Sequence, residues 1–317
     1  MHLVNPLEHL INARQLTESA EEFTRRLPPG RSPYDWLWCA NPHQPLQKGK
    51  EKQKEPDVES FEEEGFALLH GYLKMRTHLE QTNPSSGPAA ITNKMRSERE
   101  ALQAGIVKTA KEHGVTSGKW MLFPTLDDAP RVWKQVCEAV INNKLGNMAK
   151  IAAMANVGSR SLLICIYTAD FSDVREVRRV VEELVSMGFV SPPSGSPSLF
   201  GTIYYKCDAY THLGIDSNNQ YHLKASIYNS KYILSEVLKP EVSGTGKGSG
   251  KQTVLSQGVF NVAAKENEKP SRTSNIQNVR LGKDASPITS NVQSRKRLHT
   301  DDTEPASKRT KLAGNFS

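Results

Sequence analysis

Residues 117–170 decide the fold and read SGKWMLFPTLDDAPRVWKQVCEAVINNKLGNMAKIAAMANVGSRSLLICIYTAD. The apolar run at 120–123 lies between Ser117-Gly118 and Pro124 and predicts a short buried strand. Asp127, Asp128 and Pro130 then predict the start of a helix, because carboxylates favour the exposed N–H groups of a first turn and proline is tolerated there.

Apolar residues recur at steps of three and four from 132 to 141, which predicts a helix with one buried stripe. Two strand-like runs follow, at 149–157 and 162–168, and Gly158-Ser159-Arg160 between them is typical of a hairpin turn. Strand, helix and hairpin together predict an α+β domain. The residues expected in its core are Trp120, Trp133, Ile164, Ile166, Val180 and Leu184.

The elements outside this stretch support the same class. Ser19 and Glu22 have the spacing of a capping box at the start of a short helix within 17–27. Residues 34–39 alternate as a strand does, which places Trp36 and Trp38 on one face, either in the core or as a stacking platform. Further helices are predicted at 58–79, 94–112 and 173–187, the last capped by Ser172, and further strands at 199–207 and 221–227.

Composition divides the chain into three parts. Residues 1–29 are a helical extension, and residues 30–238 are the α+β domain. Residues 239–317 carry fourteen Lys and Arg against seven Asp and Glu, so this tail holds the whole net charge of +7. Its Gly, Ser, Thr, Lys and Asn content cannot bury enough apolar surface to offset the ordering of the backbone, which predicts disorder.

The tail contains one specific pattern. Lys296 and Arg297, followed by Lys308, Arg309 and Lys311, form a bipartite nuclear-import signal, which predicts an import receptor as a partner and a location in nucleus and cytoplasm. A merely basic, solvated end and a nucleic-acid-binding tail are the alternatives. The run GTGKGSGK at 244–251 has neither the spacing nor the flanking strand and helix of a phosphate loop, so it is interpreted as a linker.

Patterns for catalysis, metal binding and membrane insertion are missing from the sequence. The four cysteines and nine histidines show no metal-ligand spacing, and we find neither a nucleophile elbow nor a dinucleotide fingerprint. No apolar run approaches the roughly 20 residues that span a bilayer, and the N-terminus lacks a signal-peptide pattern. The sequence therefore predicts a soluble intracellular protein that is not an enzyme and needs no cofactor. It does not define the oligomeric state.

Two motifs carry a resemblance to a known family. GKWMLF at 118–123 and KCDAYTHLGI at 206–215 resemble the eukaryotic family of the basophilic leukemia expressed protein, and residues 30–235 resemble the mRNA cap-binding translation initiation factor fold. This resemblance implies a curved antiparallel sheet with helices packed on one face.

The cap-binding chemistry is carried over only in part. The resemblance places Lys119 at a basic position before the strand tryptophan, Tyr167 where an aromatic ring would approach the base, and Arg160 close to a hairpin arginine. The two tryptophans that would sandwich the methylated guanine have no counterpart, because 39–58 holds no aromatic residue and 81–117 holds no tryptophan. The orthodox cap clamp is therefore expected to be missing.

Five residues are the candidate ligand-binding set: Lys119, Arg160, Tyr167, Trp36 and Trp38. The lysine and the arginine are either phosphate contacts or ordinary solvated charges, and Lys206 is a further candidate for phosphate contact. Two hypotheses follow: a non-catalytic binder of RNA or nucleotides, or a protein-interaction module without ligand chemistry. A basic, aromatic-lined sheet face would favour the first hypothesis.

Overall fold

The computed structural model describes residues 3–43, 55–154 and 158–235, all within the first of two compact units that divide after Lys269. These residues form an α+β domain. Its strands are β1 (Trp36–Ala40), β2 (Gly118–Leu122), β3 (Met148–Ala152), β4 (Ile164–Thr168), β5 (Tyr204–Cys207) and β6 (Tyr228–Asn229). Its helices are α1 (Ala20–Arg26), α2 (Val58–Thr82), α3 (Pro88–Lys94), α4 (Arg96–Glu112), α5 (Ala129–Ile141), α6 (Val174–Ser186), α7 (Asp208–His212) and α8 (Ser230–Ser235).

The six strands form one sheet in the order β1-β3-β4-β2-β5-β6, and every neighbouring pair is antiparallel. The predicted α+β class and antiparallel sheet are therefore confirmed. The stretch 117–170 supplies β2, β3 and β4 at the centre of the sheet. Across β2, the residue Lys119 pairs with Tyr167 on one side and with Lys206 on the other.

One face of the sheet packs against α5 and α6. Trp120 points into this core, where its Nε1 donates a hydrogen bond to the carbonyl of Val177 in α6 at 3.0 Å. On α5, Trp133 is fully buried and meets the ring of Phe23 from α1 edge to face. All six residues predicted to lie in the core are fully buried, because the strand and helix periodicities turn them to the same side.

The N-terminal residues pack on the same core. Ser19 and Glu22 form the predicted capping box of α1. Ala13 bridges to Trp38 of β1 in parallel, and Phe23 of α1 is fully buried. The segment before β1 therefore contributes to the core in which β1 and α5 lie.

Several element boundaries differ from the sequence prediction. β3 ends at Ala152 and β4 begins at Ile164, so their connection is longer than a tight hairpin turn, and residues 155–157 of it lie outside the described residues. Asp173, not Ser172, caps α6, because its carboxylate accepts the N–H of Glu176. Residues 208–212, which lie between the strands predicted at 199–207 and 221–227, form α7.

α8 contacts β6 and α6, and the remaining helices form a group beside α7. α2, α3 and α4 pack together, α4 contacts α7, and α7 contacts β2 and β5. Within the described part of the chain, no helix has the length and apolar character required to cross a membrane. The predicted disordered tail at 239–317 and its import signal lie outside the described residues.

Candidate ligand-binding face

The face of the sheet opposite α5 and α6 is called the outer face here. Since side chains alternate along a strand, the residues that flank Trp120 in β2 and those level with them in the other strands point to this side. The outer-facing strand positions are Trp36, Trp38, Ala40, Lys119, Met121, Met148, Lys150, Ala152, Cys165, Tyr167, Tyr204, Lys206 and Asn229. The face is thus lined by aromatic rings and lysines.

Lys150 lies in a cage of three aromatic rings. Its Nζ is 4.0 Å from the ring centroid of Trp36, 4.8 Å from that of Trp38 and 5.7 Å from that of Tyr167. The rings of Trp38 and Tyr167 are stacked, with centroids 6.4 Å apart and planes inclined at 23°. An ammonium in contact with aromatic faces gains roughly 0.5–2 kcal/mol per ring contact, depending on its desolvation, so the cage favours a cation.

Lys119 of β2 lies beside Tyr167 of β4 on the outer face and is only 7% exposed. Its ammonium forms an ion pair with the carboxylate of Asp208, donates to Thr211 Oγ1 at 3.0 Å and lies 5.5 Å from the ring centroid of Tyr167. The same carboxylate accepts the hydroxyl of Ser117. Lys119 is therefore a paired charge that fastens β2 to the start of α7.

The outer face is electropositive. Its strand positions carry Lys119, Lys150 and Lys206 and no carboxylate, and Asp208 follows directly after β5. Burial lowers the pKa of Lys150 and of Lys206, and the nearby charge of Lys119 lowers the pKa of each further. The fold thus holds lysine ammonium groups close together, where they repel one another and are partly removed from water. An anionic ligand would offset this unfavourable free energy.

The edge of the face nearest β5 is open to solvent. Tyr204 is 49% exposed, and Phe123, the residue directly after β2, is 55% exposed. Trp36 and Trp38 at the other end are half-buried. Exposed aromatic rings on a strand surface can stack with planar ligand groups such as nucleobases.

The structure brings together four of the five predicted ligand-binding residues. Trp36, Trp38, Tyr167 and Lys119 share the outer face. Arg160 is separate from them: it lies in the β3–β4 connection, beyond the C-terminal end of β2, whereas Lys119 lies at the start of that strand. Of the two sequence interpretations of the tryptophans, core packing is wrong, because their neighbours Leu37 and Cys39 point into the core instead.

Two residues of this face were not singled out from the sequence. Lys150 is a charged residue at one position of the alternating strand MAKIA, and such a residue in an apolar strand indicates an outward side chain. The outward orientation of Lys150 could therefore have been predicted from the sequence. Asp208 lies next to Lys119 only because β5 pairs with β2, and no local sequence pattern predicts that pairing.

No group of three or more His, Cys, Asp or Glu that could hold a metal ion occurs in the described ranges. Surface depressions lie elsewhere, one lined by Glu8, Ile11 and Arg26 and another by Glu138 and Lys144. In the first depression, Arg26 forms an ion pair with Glu18.

The chain was compared with models of known protein families. The model described as basophilic leukemia-expressed protein Bles03 matches residues 1–214. The matched segment contains β1 to β5 and α1 to α7, and with them every outer-face lysine and aromatic residue described above.

Proposed function

The chain belongs to the family of the basophilic leukemia-expressed protein Bles03, and from this premise we propose that it is a non-catalytic protein that binds RNA or nucleotides on the outer face of its sheet. The observation that carries the proposal is the interleaving of Lys150 and Lys206 with aromatic rings on one sheet face whose strand positions hold no carboxylate. Lysines attract phosphates, and rings stack on bases of any sequence.

The proposed relationship to cap-binding translation factors concerns the fold, not the orthodox clamp. A six-stranded antiparallel sheet with α5 and α6 on one face supports it. The tryptophan pair expected to sandwich a methylated guanine is missing from the sequence segments where it would lie. The aromatic residues that the outer face carries in place of that pair come from β1 and β4, and they already surround Lys150.

The second candidate function, a protein-interaction module, has less support. Phe66 and Met75 are exposed apolar residues on α2, at 49% and 46%. They are nine residues apart, and at about 100° per residue that spacing places them on opposite sides of the helix. They therefore do not form one apolar docking patch, whereas the outer face carries a consistent set of ligand-binding groups.

The test is RNA binding by the full chain, measured by fluorescence anisotropy with a labelled single-stranded RNA of about 12 nucleotides, a length suited to one sheet face. The basic tail also attracts RNA, so the variants are made on the outer face. Lys206→Gln removes a phosphate contact, and Trp36→Leu removes a stacking surface. The matched controls are Lys108→Gln, which changes an exposed helix lysine, and Phe66→Leu, which changes an exposed helix aromatic residue.

We expect both outer-face variants to weaken binding by several fold and both controls to leave it unchanged, since only the first pair lies on the proposed face. If all four variants bind like the unaltered protein while deletion of 295–311 abolishes binding, the RNA contact belongs to the tail and the proposal for the sheet face is wrong.

A further inference from the structure

The ammonium of Lys150 has unused hydrogen-bonding capacity. It lies within 6 Å of three aromatic centroids, yet it has no hydrogen-bond or ion-pair partner among the described residues. A lysine ammonium carries three N–H donors, and the Nζ of Lys150 is not among the buried polar atoms that lack a partner, so solvent or a ligand can reach it. The rings contact the charge but offer no lone pair to its N–H groups, so these donors are available to the acceptors of a ligand.

A base that stacks on Trp36 or Trp38 must also meet Lys150. The ammonium is 4.0 Å and 4.8 Å from the two ring centroids, so it lies over the same ring surfaces that a base would use. The base therefore displaces the ammonium to its own edge, where the three N–H groups face whatever acceptors that edge carries. The chemistry of the base edge then decides how well the base is held.

Guanine is the base whose edge suits this donor best. Its N7 and O6 are adjacent acceptors, and lysine or arginine bound to this pair is the commonest specific contact to a base. Adenine places a donor amino group beside N7, and cytosine presents a donor at the corresponding edge. Methylation at N7 removes one acceptor from guanine and adds a positive charge, which Lys150 and Lys206 both oppose.

We propose that Lys150 makes the outer face selective for guanine that is unmethylated at N7, carried by single-stranded RNA or a nucleotide. The inference rests on the proposed function, since it assigns the base recognised by the same face. The rings of Trp36 and Trp38 supply the stacking surface, Lys150 reads the edge, and Lys206 holds phosphate. The outer-facing strand positions contain no carboxylate that would pair with a cationic, methylated guanine.

The test compares four labelled RNAs of 12 nucleotides on the full chain: oligouridine, and the same strand with one central guanine, adenine or 7-methylguanine. We expect the guanine strand to bind about tenfold more tightly than the other three, the ratio that one charge-assisted hydrogen bond supports. Lys150→Met keeps the apolar stem against the rings but removes the donors, so it should bind all four RNAs alike. Lys206→Gln should weaken all four equally and keep the preference.

The outcomes separate this inference from the proposed function. If all four RNAs bind through the outer face but the 7-methylguanine strand binds as tightly as the guanine strand or more tightly, the guanine selectivity is wrong and the proposed function stands. If outer-face substitutions affect none of the four, both are wrong. Circular dichroism checks that Lys150→Met folds, and Lys150→Arg, which keeps charge and donors, should retain the guanine preference where Lys150→Met loses it.

Discussion

Lys119 and Asp208, separated by 89 residues in the sequence, form an ion pair at the junction of β2 and α7. Their side chains are 9% and 18% exposed. Because the pair is largely buried, each charge depends on the other: removal of one partner leaves an uncompensated charge in a poorly solvated place. The pair also means that Lys119 is not a free phosphate ligand, and that Lys206 beside it is the better candidate for that role.

The first prediction concerns the stability of this junction. Lys119→Met and Asp208→Asn should each lower the free energy of unfolding by about 1–3 kcal/mol, because each leaves its partner without a counter-charge. The double variant should lose less than the sum of the two, since it leaves no unpaired charge. Urea unfolding followed by circular dichroism measures all three variants. Strict additivity would show that the two charges do not interact.

The second prediction compares two tryptophans on opposite faces. Trp120→Phe removes a fully buried indole and its hydrogen bond to Val177, so it should lower the free energy of unfolding by about 2 kcal/mol. Trp36→Phe, on the outer face, should cost less than about 1 kcal/mol, because this ring is only partly buried and one of its faces contacts Lys150. Urea unfolding again measures the difference. Equal losses would contradict the assignment of the two faces.

The sequence predicted the core well because one periodicity dominates there. The core-facing positions of β2 and the buried positions of α5 are apolar, so Trp120 and Trp133 could be placed without a structure. β1 was harder, since WLWCA is apolar on both faces and alternation alone does not choose between them. The choice is made by packing: Leu37 and Cys39 fit against α5, which leaves Trp36 and Trp38 to the outer face.

The candidate site was predicted only in part because it is assembled from distant segments. Its rings come from β1 and β4, its lysines from β2, β3 and β5, and the cage around Lys150 exists only in the observed strand order. Arg160 was predicted from a family resemblance at a hairpin. The β3–β4 connection is longer than that hairpin, and Arg160 lies away from the other four residues.

The third prediction concerns the four thiols. Cys39, Cys137, Cys165 and Cys207 are all buried and unpaired by disulfides, and burial raises the pKa of Cys165 to about 11 and that of Cys207 to about 12. The thiolate is the reactive form, so at pH 8 neither access nor ionisation favours reaction. A chromogenic disulfide reagent should detect no fast-reacting thiol in the folded protein and four in denaturant. A fast-reacting thiol in the folded protein would contradict this packing.

The fourth prediction concerns localisation and depends on residues 295–311 of the tail. Deletion of these residues removes both basic clusters of the proposed import signal, so the nuclear fraction of a fluorescently tagged protein should fall while its unfolding midpoint stays unchanged. Lys247→Gln with Lys251→Gln, which changes two tail lysines outside the clusters, is the control. A nuclear fraction that survives the deletion would show that another segment, or a bound partner, carries the protein into the nucleus.

The last prediction uses salt to count the charges that contact RNA. For single strands the logarithm of the affinity falls with the logarithm of the salt concentration by roughly 0.7 for each phosphate neutralised. Lys206→Gln should therefore reduce this slope by about 0.7, and Lys108→Gln should not change it.

Asp208→Asn should act in the opposite direction, because it frees the ammonium of Lys119 from its ion pair and so adds a cation to the outer face. The affinity for RNA at low salt should rise, and the slope should become steeper. The opposite signs at neighbouring residues are expected only if RNA lies over the junction of β2 and β5. A slope unaffected by either substitution would place the RNA elsewhere.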